Sequence, residues 1–309
     1  MKLPRCLLAF CLVLITLLSI TSIPVQAQST LFNVSSMPPR LGAAPTAIVA
    51  PSAAAPTRLD LPPLKAVLLV GPIDGDDGNW TRGEKANMEL AAAELEAYGV
   101  TVHRFYTPDN DWTQITAAAR GAHFLLYRGH GVYQGLLPRP TVGGFNLKNG
   151  VVSPAQIRAD LHLAPNAIVM LYGCFTAGSA SNDQEPITSA EAQRRVAEYA
   201  QPFIDMGAAG YYANWHGNAF QMFVRALFAG QTLQQTYEAY FDYNQTTVEY
   251  YTYPADATRV MWLDKDVDGD MIQYNYAFIG QPEQTLSGLF GSTGDTVAYK
   301  VYLPLTLNR

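Results

Sequence analysis

Between Lys65 and Leu286 the chain alternates short, wholly apolar runs with segments whose apolar residues recur at helical spacing. "AVLLV" (66–70) is continuously apolar and stops at Gly71-Pro72, the pattern of a strand covered on both faces. Thr81-Arg82-Gly83-Glu84 reads as a capping box, and Met88, Ala91, Ala92, Leu95 and Tyr98 then share one helical face until Gly99. "VTVHRFY" (100–106) predicts a second strand, 111–119 a second helix and "HFLLY" (123–127) a third strand. After a loop rich in Gly, Pro and Asn, Ser153, Pro154 and Gln156 open a short capped helix. "AIVMLY" (167–172) predicts the fourth strand. Thr188 caps a long helix to about Met206 that Pro202 is expected to kink or end early. "GAAGYYAN" (207–214) predicts the fifth strand, with helices over 218–229 and 232–243 after it, and "RVMWL" and "IQYNYAFI" are strand-like.

Each parallel connection needs a crossover, so repeated strand-helix-strand units predict an α/β fold: a mostly parallel central sheet with helices on both faces. In such sheets ligands bind beyond the carboxyl ends of the strands. That edge is where functional residues are sought.

The first 27 residues differ from the rest. Lys2 and Arg5 precede a short apolar core, "CLLAFCLVLITLL", and "VQA" precedes Gln28, the pattern of a secretory signal peptide. An uncleaved anchor is the alternative, although the core is short against the roughly 20 residues of a spanning helix. Removing the signal leaves 18 basic against 26 acidic residues, a balance of −8, and Cys174 as the sole cysteine. The acidic balance argues against nucleic acid as a partner. A secreted or cell-surface protein with no stable membrane insertion is expected. Residues 28–64 are rich in Ala, Pro and Ser without sustained periodicity and read as a linker or a pro-segment, in which Arg40 and Arg58 offer cleavage points. The remaining residues, 65–309, are enough to bury one sizeable core.

Two apolar strands end in reactive side chains. "FLLYRGHG" carries His130 and Gly131, and "IVMLYGC" carries Cys174. A thiolate nucleophile needs a neighbouring base and donors for the oxyanion formed when it attacks a carbonyl. If the two strands are adjacent and parallel, His130 and Cys174 share one edge, with the amides of Gly131 and Cys174 as oxyanion donors. Gly129, Gly131 and Gly173 would let the backbone turn sharply and a substrate chain come close. Taken singly, a cysteine ending a buried strand is more often packing, and a histidine between glycines more often a turn.

The joint pattern resembles the family that includes caspases, metacaspases, legumain, clostripain and gingipains. "GAAGYYANW" and "YAFIGQPEQTL" (276–286) look like later segments of gingipain-like domains, so the resemblance covers roughly 65–286. It implies a caspase-like sandwich and a cysteine endopeptidase acting on protein or peptide substrates, with Cys174 as nucleophile, His130 as general base and no cofactor for the chemistry. Gly173 stands where many relatives carry Ala, and Gln281 replaces an Asp. Members that cut after Arg or Lys hold the basic side chain with carboxylates. Asp74, Asp76 and Asp77, just after the first strand, would serve that purpose or form a solvated turn, with Asp183 and Glu185 as rivals and Trp215 and His216 placed to line a groove.

"DKDVDGD" spaces Asp264, Asp266, Asp268 and Asp270 at alternate positions with Gly269 at the sixth. A weak structural calcium site of oxygen ligands and a solvated turn both fit, and Asn275 at the twelfth position excludes a standard EF-hand loop. Residues 287–309 end in a strand-like "TVAYKVYLPLTLNR" after a Gly/Ser-rich stretch. The readings left standing are a secreted cysteine endopeptidase, an inactive caspase-like binding module, and a calcium-stabilised structural module.

Overall fold

The computed structural model describes residues 32–35, 59, 61–137, 139–268 and 271–291. The signal region, Arg40, Arg58, Gly269, Asp270 and the strand-like C-terminal stretch lie outside them. The first described strand, β1 (Phe32–Ser35), falls in the segment that shows no periodicity in sequence. The alternation then begins with β2 (Lys65–Val70), α1 (Asn79–Ala97), β3 (Thr101–Tyr106), α2 (Trp112–Ala119) and β4 (Ala122–Arg128). Four short strands occupy the Gly-rich loop: β5 (Gly131–Gln134), β6 (Thr141–Val142), β7 (Phe145–Leu147) and β8 (Gly150–Val152). Next come α3 (Pro154–Asp160), β9 (Leu163–Tyr172), α4 (Ser189–Asp205), β10 (Gly210–Asn214), α5 (Ala219–Phe228) and α6 (Leu233–Glu238). The last elements are β11 (Glu249–Thr252), β12 (Val260–Asp268), β13 (Met271–Gly280) and α7 (Leu286–Phe290).

The central sheet runs β11-β12-β13-β10-β9-β4-β2-β3. β3, β2, β4, β9 and β10 are parallel, and β13, β12 and β11 extend the sheet antiparallel. Ala66 to Val70 are all fully buried, as the unbroken apolar run requires of a central strand. Neighbouring residues of a strand face opposite ways, so β4 shows where the helices lie. Arg128 meets Glu84 of α1 and the Phe220 ring of α5. Tyr127 points the other way onto Phe145, which packs on Phe203 of α4. Helices therefore cover both faces. Among the described residues no helix is long and apolar enough to cross a membrane.

Three local details go beyond or differ from the sequence reading. α1 starts at Asn79, before the expected box, because Asp74 in the preceding loop accepts the amides of Trp80 and Thr81 and caps the helix from outside. Glu84 is drawn instead to the buried guanidinium of Arg128. α4 runs past Pro202 to Asp205, with Pro202 itself buried near the helix end. α7 packs on the core, the Phe290 ring lying 5.0 Å from His123 and 6.2 Å from Phe124.

Candidate active site

β4 and β9 pair in parallel with Arg128 opposite Tyr172, and the Gly129 amide continues the ladder to the Tyr172 carbonyl at 3.1 Å. Each chain has two residues to run from that last pair, which brings His130 and Cys174 to the same sheet edge. Their backbones interlock. A Cβ on Gly131 would stand 2.0 Å from the Cys174 carbonyl oxygen, and one on Gly173 would stand 2.9 Å from the Gly129 carbonyl oxygen. Neither glycine has a positive φ. The reason for glycine here is thus the contact between the two loops, and not the sharp turn expected from the sequence.

His130 is half-buried, and its Nε2 lies 2.9 Å from the carbonyl oxygen of Ile73. A carbonyl only accepts, so Nε2 carries the proton and Nδ1 presents a lone pair. Nδ1 is buried with no hydrogen-bond partner among the described residues. The Tyr127 hydroxyl donates to the His130 carbonyl at 2.9 Å and receives the Asn146 amide, holding the main chain beneath the ring. The histidine is thus fixed in one tautomer, with its basic nitrogen unengaged.

The Ile73 carbonyl is the orienting group that sequence reasoning did not identify. A carbonyl has no residue-type signature, so spacing could not have revealed it. Its loop is anchored at one end by Gly71, whose amide meets the Arg128 carbonyl, and at the other by Thr81, whose hydroxyl accepts the Ile73 amide at 2.9 Å. Asp74 clamps the same turn. Desolvation pulls its pKa upward, but the amides of Thr81 and Trp80 and the Thr81 hydroxyl outweigh it and hold the carboxyl below the usual range. The Asp76 carboxylate accepts from the Thr107 hydroxyl, and Asp77 is exposed. All three carboxylates of this loop are exposed, and Asp74 and Asp76 also hold hydrogen bonds within their own surroundings.

Cys174 is fully buried. Its Sγ accepts the Ser181 amide at 3.4 Å and lies 3.6 Å from the Ser181 hydroxyl. Phe175 follows with φ 69°, a left-handed conformation rare for an aromatic residue and worth about 1–3 kcal/mol of strain. The turn is held by the Phe175 amide on the Ser179 carbonyl at 2.8 Å, and by the Thr176 hydroxyl on the Gly173 carbonyl at 2.7 Å. The buried Phe175 ring packs on Tyr133 and under the Arg195 guanidinium. Sγ and Nδ1 share the edge without a hydrogen bond between them. Catalytic hydrogen bonds are often long before substrate binds.

The other expected residues have surroundings of their own. Asp183 takes both arms of the buried Arg195 at 2.8 Å and the Ala180 amide at 2.7 Å, so it latches the loop after Cys174. Glu185 is exposed and lines a cleft of about 680 Å³ with Leu137, Arg139 and Ile187, between the loops that follow His130 and Cys174. Trp215 is buried, with Nε1 lacking a partner among the described residues. His216 faces Asp242 at 3.1 Å, and Asn214 binds the other oxygen of that carboxylate.

The acidic stretch after 263 forms strand as far as Asp268, where a solvated turn or wrapping loop was expected. Asp264 is buried and accepts from the Asn244 amide and the Thr247 hydroxyl, each at 2.6 Å, while Asp266 accepts from Asn275 at 2.9 Å. Burial raises the pKa of Asp264 against those hydrogen bonds. The Asp268 side chain and Asp270 lie outside the described residues. Among those described, no group of three or more His, Cys, Asp or Glu is arranged to hold a metal ion.

No family model matches the chain, and no curated protein does. Among solved structures it is similar to the Drosophila initiator caspase Dronc, at 13% identity and a TM-score of 0.35, over 74% of this chain and 85% of that one.

Proposed function

We propose that the chain is a secreted cysteine endopeptidase with a caspase-like sandwich fold, acting through Cys174 and His130. The observation that carries this reading is the edge itself. His130 is fixed by the Ile73 carbonyl with Nδ1 unengaged, on a loop whose glycine lies against the Cys174 backbone. The thiol proton passes to Nδ1 and the thiolate attacks the peptide carbonyl, with the Gly131 and Cys174 amides receiving the oxyanion. Collapse breaks the C–N bond, and Nδ1–H protonates the leaving amine. Water, deprotonated by the same nitrogen, then hydrolyses the thioester and restores the thiol.

For the substrate, Glu185 in the 680 Å³ cleft and the exposed Asp77 are the carboxylates proposed to favour Arg or Lys before the cut bond. A weak calcium ion at Asp264 to Asp270 is proposed as structural, outside the chemistry. The test is turnover of fluorogenic peptides varied at the residue before the cut bond, with and without calcium, against Cys174→Ala. Turnover lost in the variant supports the peptidase. No turnover, with Cys174 inert to alkylation at mildly acidic pH, overturns it.

One observation favours the second reading, an inactive binding module: Cys174 is buried with its sulfur turned to Ser181. The alkylation rate separates the two.

A further inference from the structure

The strand that leaves the candidate site, β5, begins at Gly131, and its outer neighbour is β1, from the segment ahead of the central fold. The pairing is antiparallel, with Ser35 opposite Gly131, Val34 opposite Val132 and Asn33 opposite Tyr133. Which backbone groups face β1 follows from the other side of the strand. The Val132 carbonyl accepts the Gly143 amide from the β6 side, and the Val132 amide goes to the Tyr199 hydroxyl. In an antiparallel ladder successive residues point their amides to opposite sides. The amides of Gly131 and Tyr133 therefore turn toward Ser35 and Asn33. The Gly131 amide is the one assigned to the oxyanion, so a strand paired at Ser35 competes with the oxyanion for it. Asn33 and Val34 are both exposed, so at these positions the strand is held by main-chain pairing more than by buried side chains.

We propose that the outer edge of β5 is a rail for extended peptide main chain, and that residues 32–35 fill it in the intact chain, engaging the Gly131 amide until the segment leaves. The ligand class is an unfolded peptide recognised through its backbone, as in strand addition. The rail stands on the pairing alone, whereas its inhibitory consequence rests on the peptidase reading. A cut within 36–58, where Arg40 and Arg58 lie, would remove the covalent tie between β1 and the rest of the fold.

The experiment compares the intact chain with an Asn33→Pro chain, in which the ladder loses a donor and clashes, and with a chain folded intact and then nicked at a protease site inserted within 36–58. A labelled peptide of residues 30–37, TLFNVSSM, is the binding probe, and its own Asn33→Pro form is the control. Tighter binding by about tenfold or more to the variant and nicked chains than to the intact one is expected, as release of an occupied site requires. Turnover of a fluorogenic peptide rises in the same two forms and is suppressed again by adding TLFNVSSM. Binding to none of the three, or equally to all, overturns the rail. Equal turnover in all three overturns the inhibition and leaves the peptidase standing. Binding as expected with no turnover in any form sinks the peptidase reading together with the inhibitory role, and supports the rail alone.

Discussion

Replacing Gly131 with alanine tests whether the two loops must touch for the site to exist. The added Cβ would stand 2.0 Å from the Cys174 carbonyl oxygen, 2.6 Å from its carbonyl carbon and 2.8 Å from its Cα, all inside the 3.0 Å that real Cβ atoms essentially never cross. All three are backbone atoms at the end of a buried strand, so no rotamer relieves the contact. The loops must part by about 1 Å or more to regain ordinary van der Waals separation. Overpacking of this kind costs about 1–3 kcal/mol. For a domain of this size that lowers the melting temperature by roughly 2–12 °C. Turnover should suffer far more, because a displacement of about 1 Å between reacting groups costs about 100-fold in rate. The assay is kcat/KM on a cleaved fluorogenic peptide beside a thermal melt, with near-ultraviolet circular dichroism to establish that the variant is folded at the assay temperature. A folded Gly131→Ala protein with undiminished kcat/KM and an unshifted melt would refute the idea that close loop contact builds the site.

Gly83→Ala is the opposite case: an exposed position in α1 with open space around the new Cβ, expected to stabilise by about 0.5–1 kcal/mol and leave turnover unchanged in the same melt and assay. Glu84→Gln leaves the fully buried guanidinium of Arg128 without its charge partner and should cost about 3–5 kcal/mol in urea denaturation. Removing Glu89 from the exposed Arg104 pair should cost at most about 1 kcal/mol. Asp74→Asn is expected to slow turnover by loosening the Ile73 carbonyl and to lower stability at neutral pH. Because the carboxyl pKa is depressed in the folded state, the unfolded chain binds more protons near the ordinary value of 3.8, so the stabilisation is present above that value and fades as pH falls through the folded pKa. A melt difference between the wild-type and Asp74→Asn proteins that persisted unchanged into strong acid would contradict the assignment. Calcium titration against a chelator should raise the melting temperature with an apparent Kd of about 0.1–1 mM if Asp264 to Asp270 bind it, and no shift up to about 10 mM would discard the site.

The periodic elements were legible because their burial is total. Ala66 to Val70 and Ile168 to Leu171 are unbroken apolar runs, and they become neighbours of β4 on its two sides. Both residues of the proposed dyad were legible too, since each ends such a run and two adjacent parallel strands bring equivalent ends together. Asp74 and Asp183 had the composition of ligands. Their oxygens were read as available because a sequence does not show which amides and guanidinium groups lie within reach, and the fold supplies Thr81 and Trp80 to one and Arg195 to the other.

By itself the chain determined its alternation of strand and helix, and the two reactive side chains that end adjacent parallel strands at one edge of the sheet, because burial periodicity and residue type are local properties. The tertiary structure decided the rest. It chose the carbonyl of Ile73 to orient His130, made Gly131 and Gly173 necessary through the contact of two loops, and laid the four residues of β1 against β5, with Ser35 opposite Gly131. Each of these depends on backbone groups that every residue carries. Backbone atoms leave no signature in the order of side chains, and only the path of the folded chain determines which of them meet.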